Sequence, residues 1–165
     1  FKNLVIAYAG NKKIKTSYKL VAFGGSPFSY SEKTFFKEIG LSKNNIIREK
    51  GNDQKLIEYY KKSSLFVYPS FYEGFGIPPL EAMSLGCPVA CSNTSSISEV
   101  VSDAGVYFDP YSVDSISKTI ESILQDDSFK KELIKKGEKR IKKFSWEKCS
   151  LETYNLYKKL ISWEH

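Results

Sequence analysis

Five short apolar runs punctuate the chain: YKLVAFGG (18–25), NIIRE (45–49), LFVYPS (65–70), PVACS (88–92) and GVYFD (105–109). The third and fourth show no alternation of apolar and polar positions, the pattern of strands covered on both faces. The first ends in two glycines and reads as a strand entering a tight turn. Helical spacing fills the intervals. Residues 3–16 read as a helix with Leu4, Val5 and Tyr8 inward and a lysine-rich end suited to the negative pole of its dipole. Residues 31–39 read as a short helix with Ser31 as N-cap and Gly40 as its stop. Residues 52–63 form another, capped by Asn52 or Asp53. Residues 78–86 carry proline in the first turn and Gly86 at the end. A helical turn is expected at 96–101, and helices at 112–125, 127–143 and 146–162. Strand and helix alternate to about residue 125, which predicts an α/β fold: a Rossmann-like, doubly wound parallel sheet with helices on both faces. The stretch 126–165 breaks the alternation and reads as a helical extension of the same domain.

Composition narrows the chemistry. The chain has 165 residues, one domain's worth, and 41% of them are apolar, enough for a core and against disorder. The net charge is +6, but Arg48 and Arg140 are the only arginines among 25 cations. A reader of base edges wants the arginine fork, so the charge permits an anionic partner without demanding nucleic acid. The single histidine, His165, is the last residue and is expected to be frayed. This argues against a Ser-His-Asp triad, a Cys-His pair, a His-ligated zinc and a histidine base. Cys87, Cys91 and Cys149 make an odd count without CxxC, and the first two lie in apolar CPVAC. They read as reduced thiols of a cytoplasmic protein. No run approaches the ~20 apolar residues of a membrane span. No signal peptide is visible, and a chain starting at Phe1 reads as a piece of something longer.

In open α/β sheets, ligands bind at the carboxyl ends of the strands. Three loops fall there: GGSPFS after the first strand, REKGND after the second and FYEGFGIPP after the third. GGSPF lacks the G-x-G-x-x-G spacing of a dinucleotide site, and no G-x-x-x-x-G-K-[ST] phosphate loop is present. In the third loop, Glu73 precedes Gly74-Phe75-Gly76, and a helix begins near Pro78. Glycines let a ligand approach the backbone, and the amides of Gly76 and Ile77 at a helix N-terminus favour an anion such as a phosphate. Glu81, one turn in, can accept two hydrogen bonds from vicinal hydroxyls, as of a ribose, and Glu73 can serve a second polyol. Plain structural roles fit equally: Glu73 as a turn carboxylate, Glu81 as an acid answering the helix dipole.

The stretch PSFYEGFGIPPLEAMSLGCPVACSNTSSISEVVSDAGVYFDP, residues 69–110, resembles the donor-binding half of a GT-B glycosyltransferase of the retaining group, glycosyltransferase family 4. That family carries E-x7-E, matched here by Glu73 and Glu81 around GFGIPPL. The SxIxE turn with Glu99, the GxYFDP segment ending at Pro110, and FSWEK (144–148) also fit, and FKN at the start resembles the K-N after the domain's first strand. The resemblance implies an enzyme that transfers a hexose from a nucleoside-diphosphate sugar, without metal or other cofactor and with retention. The acceptor is a saccharide or a lipid-linked sugar of bacterial surface polysaccharide, either lipopolysaccharide or capsule. Glu81 then binds the ribose, and Glu73 faces the transferred sugar. Gly74, Phe75, Gly76, Ile77 and Leu80 line the donor, and Lys2 neutralises the leaving diphosphate. The loop at Arg48, Glu49 and Lys50 lies where the family holds the base. The family's paired arginine, the domain's first strand and the acceptor-binding half are expected upstream of Phe1. The donor leans to GDP-mannose, with UDP-hexoses next. The basic run 129–143, eight cations against two acids, is a solvated face or a contact with the anionic inner face of the membrane. A glycoside hydrolase fits poorly, since the two glutamates do not flank one bond. Another GT-B enzyme (epimerase or phosphorylase) and a non-catalytic sugar-nucleotide module are the alternatives.

Overall fold

Side-chain caps set the start of most helices in the computed structural model, which describes residues 1–161. The expected helix at 3–16 is two helices, α1 (Lys2–Gly10) and α2 (Lys12–Ser17). Asn11 breaks the run with an extended backbone. Its side-chain oxygen accepts from the Ile14 amide, and its amide group donates to Glu121 Oε2 at 3.0 Å. Strand β1 (Leu20–Phe23) follows, then α3 (Tyr30–Glu38). The α3 cap is Ser29, not Ser31. Ser29 Oγ accepts from the Glu32 amide while Glu32 Oε2 accepts from the Ser29 amide at 2.7 Å, a capping box that Ser31 has no glutamate to complete. Next come β2 (Ile46–Glu49) and α4 (Asp53–Lys62), where Asn52 is the cap and Asp53 the first-turn acid. The remaining elements are β3 (Phe66–Tyr68), α5 (Ile77–Ser84), β4 (Val89–Ser92), α6 (Ile97–Val101), β5 (Gly105–Phe108), α7 (Val113–Leu124), α8 (Asp127–Ile141) and α9 (Trp146–Ile161). Residue 162, the expected end of α9, and His165 lie outside the described residues.

The strands are parallel, as expected, but they form two sheets rather than one. β1 pairs with β2 from Leu20–Ile46 to Phe23–Glu49. β3, β4 and β5 form the second sheet in that order, with Phe66 opposite Val89 and Val89 opposite Gly105. A doubly wound sheet has strand order 3-2-1-4-5-6. Removing its central first strand leaves a pair and a triplet, and these are the two sheets observed. A cavity of about 1030 Å³ separates them, lined by Val21 and Phe23 of β1, Phe66 and Tyr68 of β3, Tyr8 of α1 and Ile120 of α7.

Two cores hold the layers. One joins α1, α3, α7 and the first sheet through Leu4, Val5, Phe36, Ile46, Ile116 and Ile123. The other joins α4, α5, α6 and β4 through Tyr60, Met83, Val89, Cys91 and Val101. All four residues of β4 are buried, which explains its unbroken apolar run. Gly137 lets α8 lie against α5: a Cβ there would come within 3.1 Å of Met83 Cγ. α9 buries none of its residues.

Candidate functional site

The loop at 69–76 leaves the carboxyl end of β3 and is stapled to the segment after β4 by a row of hydroxyls. Ser92 Oγ donates to Tyr68 O and Thr94 Oγ1 to Ser70 O, both at 3.3 Å. The Glu73 amide donates to Ser95 Oγ at 3.0 Å, and Ser95 and Ser96 hydroxyls reach back to the Glu73 carbonyl at 3.1 and 2.9 Å. Ser95 holds this position with φ of +50°, a left-handed backbone that costs a non-glycine residue free energy and is recovered through the clamp. Of these, the sequence marks only Ser95, as the first residue of the SxIxE turn, and gives it no role. The signal that could have found them is the unbroken polar run SNTSS at a strand's carboxyl end.

Within the clamped loop, the carboxylate of Glu73 accepts the Tyr68 hydroxyl at 2.6 Å. Gly76 then turns the chain into α5 with φ of +94°, a conformation that favours glycine. No side chain caps α5. Pro78 and Pro79 have no N–H, so the free donors at this helix start are the amides of Gly76 and Ile77. Phe75 and Ile77 are exposed beside them, and Phe75 meets Phe144 edge to face at 5.8 Å. Leu80 is half-buried against the second core. Glu81, exposed on α5, accepts the Tyr60 hydroxyl at 3.3 Å and lines the cavity between the sheets.

The second loop is built around Arg48. Its guanidinium lies over Phe28 at 4.4 Å and donates to Gly24 O at 3.3 Å, with Glu32 at 3.9 Å. Its buried Nε has no partner among the described residues. Gly25 has φ of +70°, and a Cβ on it would come within 2.7 Å of Arg48 Nη1. The glycine pair therefore makes room for Arg48 as well as turning the chain. Arg48 and Glu81 line the same cavity. Glu49 is engaged by Lys55 at 2.7 Å, a hydrogen bond that lowers its carboxyl below the ordinary value. Lys55 also donates to the Lys50 carbonyl. Lys2, at the start of α1, does not line the cavity; its ammonium lies 5.0 Å from the centre of the Phe35 ring. Glu99 contributes its backbone carbonyl, which accepts from Arg140.

No three His, Cys, Asp or Glu side chains cluster among the described residues. No helix among them is long and apolar enough to cross a membrane. Cys87 and Cys91 are buried and free, and burial pushes each thiol up to about 12; Cys149 is exposed.

What the arrangement offers is two carboxylates, each held by a tyrosine hydroxyl, one in the loop before an uncapped helix and one a turn into it, at the carboxyl edge of a parallel sheet. Known proteins resemble this chain over part of their length. The O-antigen chain mannosyltransferase B of Escherichia coli is 53% identical over 108 residues, 66% of this chain and 28% of that protein. The O-antigen chain mannosyltransferase RfbU of Salmonella typhimurium is 31% identical over 121 residues, 72% of this chain and 34% of that protein. The sucrose-phosphate synthase of Thermosynechococcus elongatus superposes with a TM-score of 0.81 at 26% identity, over 98% of this chain and 42% of the other. The chain thus spans about a third of the length of these curated relatives. The profile described as "Glycosyl transferases group 1" matches residues 1–140, from the start of α1 almost to the end of α8, and by that match the chain belongs to this glycosyltransferase family.

Proposed function

We propose that the chain is the donor-binding half of a hexosyltransferase that uses a nucleoside-diphosphate sugar, with GDP-mannose as donor and a growing surface polysaccharide as acceptor. The observation that carries the proposal is the start of α5. Gly76 and Ile77 present amides there, with Glu73 in the loop before them and Glu81 one turn after, each carboxylate held by a tyrosine hydroxyl. Such amides carry the positive end of the helix dipole and suit the diphosphate. Glu81 takes the ribose hydroxyls and Glu73 faces the sugar. Lys2 reaches the leaving phosphate by releasing Phe35, a contact worth only about 0.5–1 kcal/mol at an exposed site. Mannose is favoured because the 53% identical relative is a mannosyltransferase.

The leaving group is already good once its charge is met, so the amides and Lys2 supply the main catalytic effect without a metal. The acceptor oxygen attacks C1 on the face the diphosphate leaves. The C1–O bond to phosphate breaks, the hydroxyl proton passes to that phosphate oxygen, and the configuration is retained. The acceptor is held by the remainder of the natural protein, so the 165-residue chain binds nucleotide weakly and transfers nothing. In α8, Lys130 and Lys136 pair with Asp127 and Glu132, and Arg140 binds backbone carbonyls. The exposed Lys131, Lys135, Lys139, Lys142 and Lys143 form the face offered to an anionic inner membrane leaflet.

The test is calorimetric titration of the natural full-length protein with GDP, UDP and ADP and their sugars, paired with transfer assays of Glu73→Gln. GDP affinity should stay within about twofold while turnover falls on the order of 10²-fold, as when one preorganised polar group is lost. A stable variant with normal turnover refutes the role of Glu73.

A further inference from the structure

Neither glutamate owes its orientation to its own backbone alone. Tyr68 stands on β3 and donates its phenolic hydrogen to Glu73 Oε1; Tyr60 stands on α4 and donates to Glu81 Oε2. Tyr60 is buried and Tyr68 half-buried, and an O–H taken from water in this way needs a partner. The bond leaves the second oxygen of each carboxylate, Glu73 Oε2 and Glu81 Oε1, without a protein hydrogen bond among the described residues. A carboxylate with one oxygen pinned and the other open can accept a ligand hydroxyl at little cost in ordering.

The two pairs are mechanically joined. Phe66 and Tyr68 are two apart on β3 and so share a face of the sheet. The Phe66 ring lies 5.2 Å from that of Tyr60, edge to face, and 5.8 Å from that of Tyr68, stacked. Tyr60, Phe66 and Tyr68 form one aromatic row from α4 to β3, with a glutamate at each end. Burial, and then the neighbouring carboxylate, hold both phenols well above the ordinary 10.0. Both therefore remain donors at any pH at which the protein works.

We infer that Tyr60 and Tyr68 are positioning residues, tied together by Phe66, through which Tyr60 sets nucleotide affinity by way of Glu81 and Tyr68 sets turnover by way of Glu73. The inference rests on the donor-site reading of the two glutamates given above. It adds that the hydroxyls, not the rings alone, are needed.

The experiment is a pair of double-mutant cycles in the natural full-length protein, Tyr68→Phe with Glu73→Gln and Tyr60→Phe with Glu81→Ala. The readouts are the GDP dissociation constant and GDP release from GDP-mannose with mannobiose as acceptor. Each phenylalanine keeps its ring, and melting temperatures show whether the fold is kept. Tyr68→Phe should lower kcat about tenfold with KM for GDP-mannose within about twofold, the scale of one lost charge-assisted hydrogen bond. It should cause no further loss once Glu73 is glutamine. Tyr60→Phe should raise the GDP dissociation constant about fivefold and leave kcat within about twofold, again with no further effect once Glu81 is alanine. A merely structural role lowers stability and adds the same loss in both backgrounds. Normal kinetics in the tyrosine variants, with the glutamate variants impaired, overturns the inference and leaves the donor site standing. Normal kinetics in all four single variants overturns the donor site and the inference together.

Discussion

Gly76 is where backbone conformation and proposed function meet, so Gly76→Ala tests both. The residue has φ of +94° and ψ of 59°. A side chain there clashes with its own backbone, at a cost of roughly 1–2 kcal/mol. Alanine also stiffens the unfolded chain, which returns about 0.4–1 kcal/mol. The surroundings add nothing, because the new Cβ would sit 3.7 Å from Ile97 Cγ1, an ordinary contact. The net loss is about 1 kcal/mol, or about 2–4 °C in melting temperature for a domain of this size. Asparagine tolerates the left-handed region, so Gly76→Asn should lose less than alanine. Nucleotide binding should fall in the same order, since relaxing φ turns the Ile77 amide away from the helix axis. Gly105→Ala is the contrast. Its φ is ordinary, but the Cβ would come within 2.5 Å of Val101 Cγ1 and 3.1 Å of the Val89 carbonyl. The cost there is overpacking, typically about 1–3 kcal/mol, with no direct effect on the loop at 69–76. Melting curves and GDP titrations of the three variants separate the causes. If Gly76→Ala melts and binds like the wild type, the left-handed start of α5 is not required, and the anion-site argument fails with it.

Glu81→Ala should weaken GDP binding by about 1–3 kcal/mol in calorimetry and keep the fold at a lowered melting temperature, because the Tyr60 hydroxyl loses its acceptor; unchanged affinity would remove its ribose role. Ser29→Ala should cost about 0.5–2 kcal/mol in urea unfolding through loss of the capping box, and Ser31→Ala much less. A thiol reagent at pH 8 should modify Cys149 quickly and Cys87 and Cys91 only on unfolding, as mass spectrometry of the labelled peptides will report. Both buried thiols sit at about 12 in the fold against 9.0 ordinarily. The native state therefore holds those protons more tightly, and their stabilisation is complete below pH 9 and lost as pH rises toward 12. Urea midpoints that do not fall between pH 9 and 11 would contradict this.

Elements whose causes are local could be read from the residues alone. Asn52 caps α4, proline stands in the first turn of α5, Gly40 and Gly86 stop their helices at positive φ, and the unbroken apolar run of β4 marks a strand buried on both faces. These depend on contacts within a turn of chain or on burial that hydrophobicity alone demands. The E-x7-E spacing belongs to the same class, because a loop followed by a helix start carries both glutamates. Two local readings still went astray. Helical periodicity across 3–16 hid the break at Asn11, whose amide finds Glu121 more than a hundred residues away. Ser29 out-competed Ser31 because the box needs a glutamate three residues on.

What only the tertiary structure decided are the partners. The register of each strand pair, Leu20 with Ile46 and Phe66 with Val89, depends on which strand edges meet, and strand composition does not encode that. The Tyr60–Glu81 pair spans 21 residues and the Ser95 clamp on Glu73 spans 22. Arg48 takes its place against Gly24 and Phe28 from a neighbouring strand and loop. A tyrosine, a serine or an arginine has many partners open to it along a chain. Only the packing of β3, β4 and α4 at one sheet edge removes water from the alternatives and leaves each hydroxyl a single acceptor worth having.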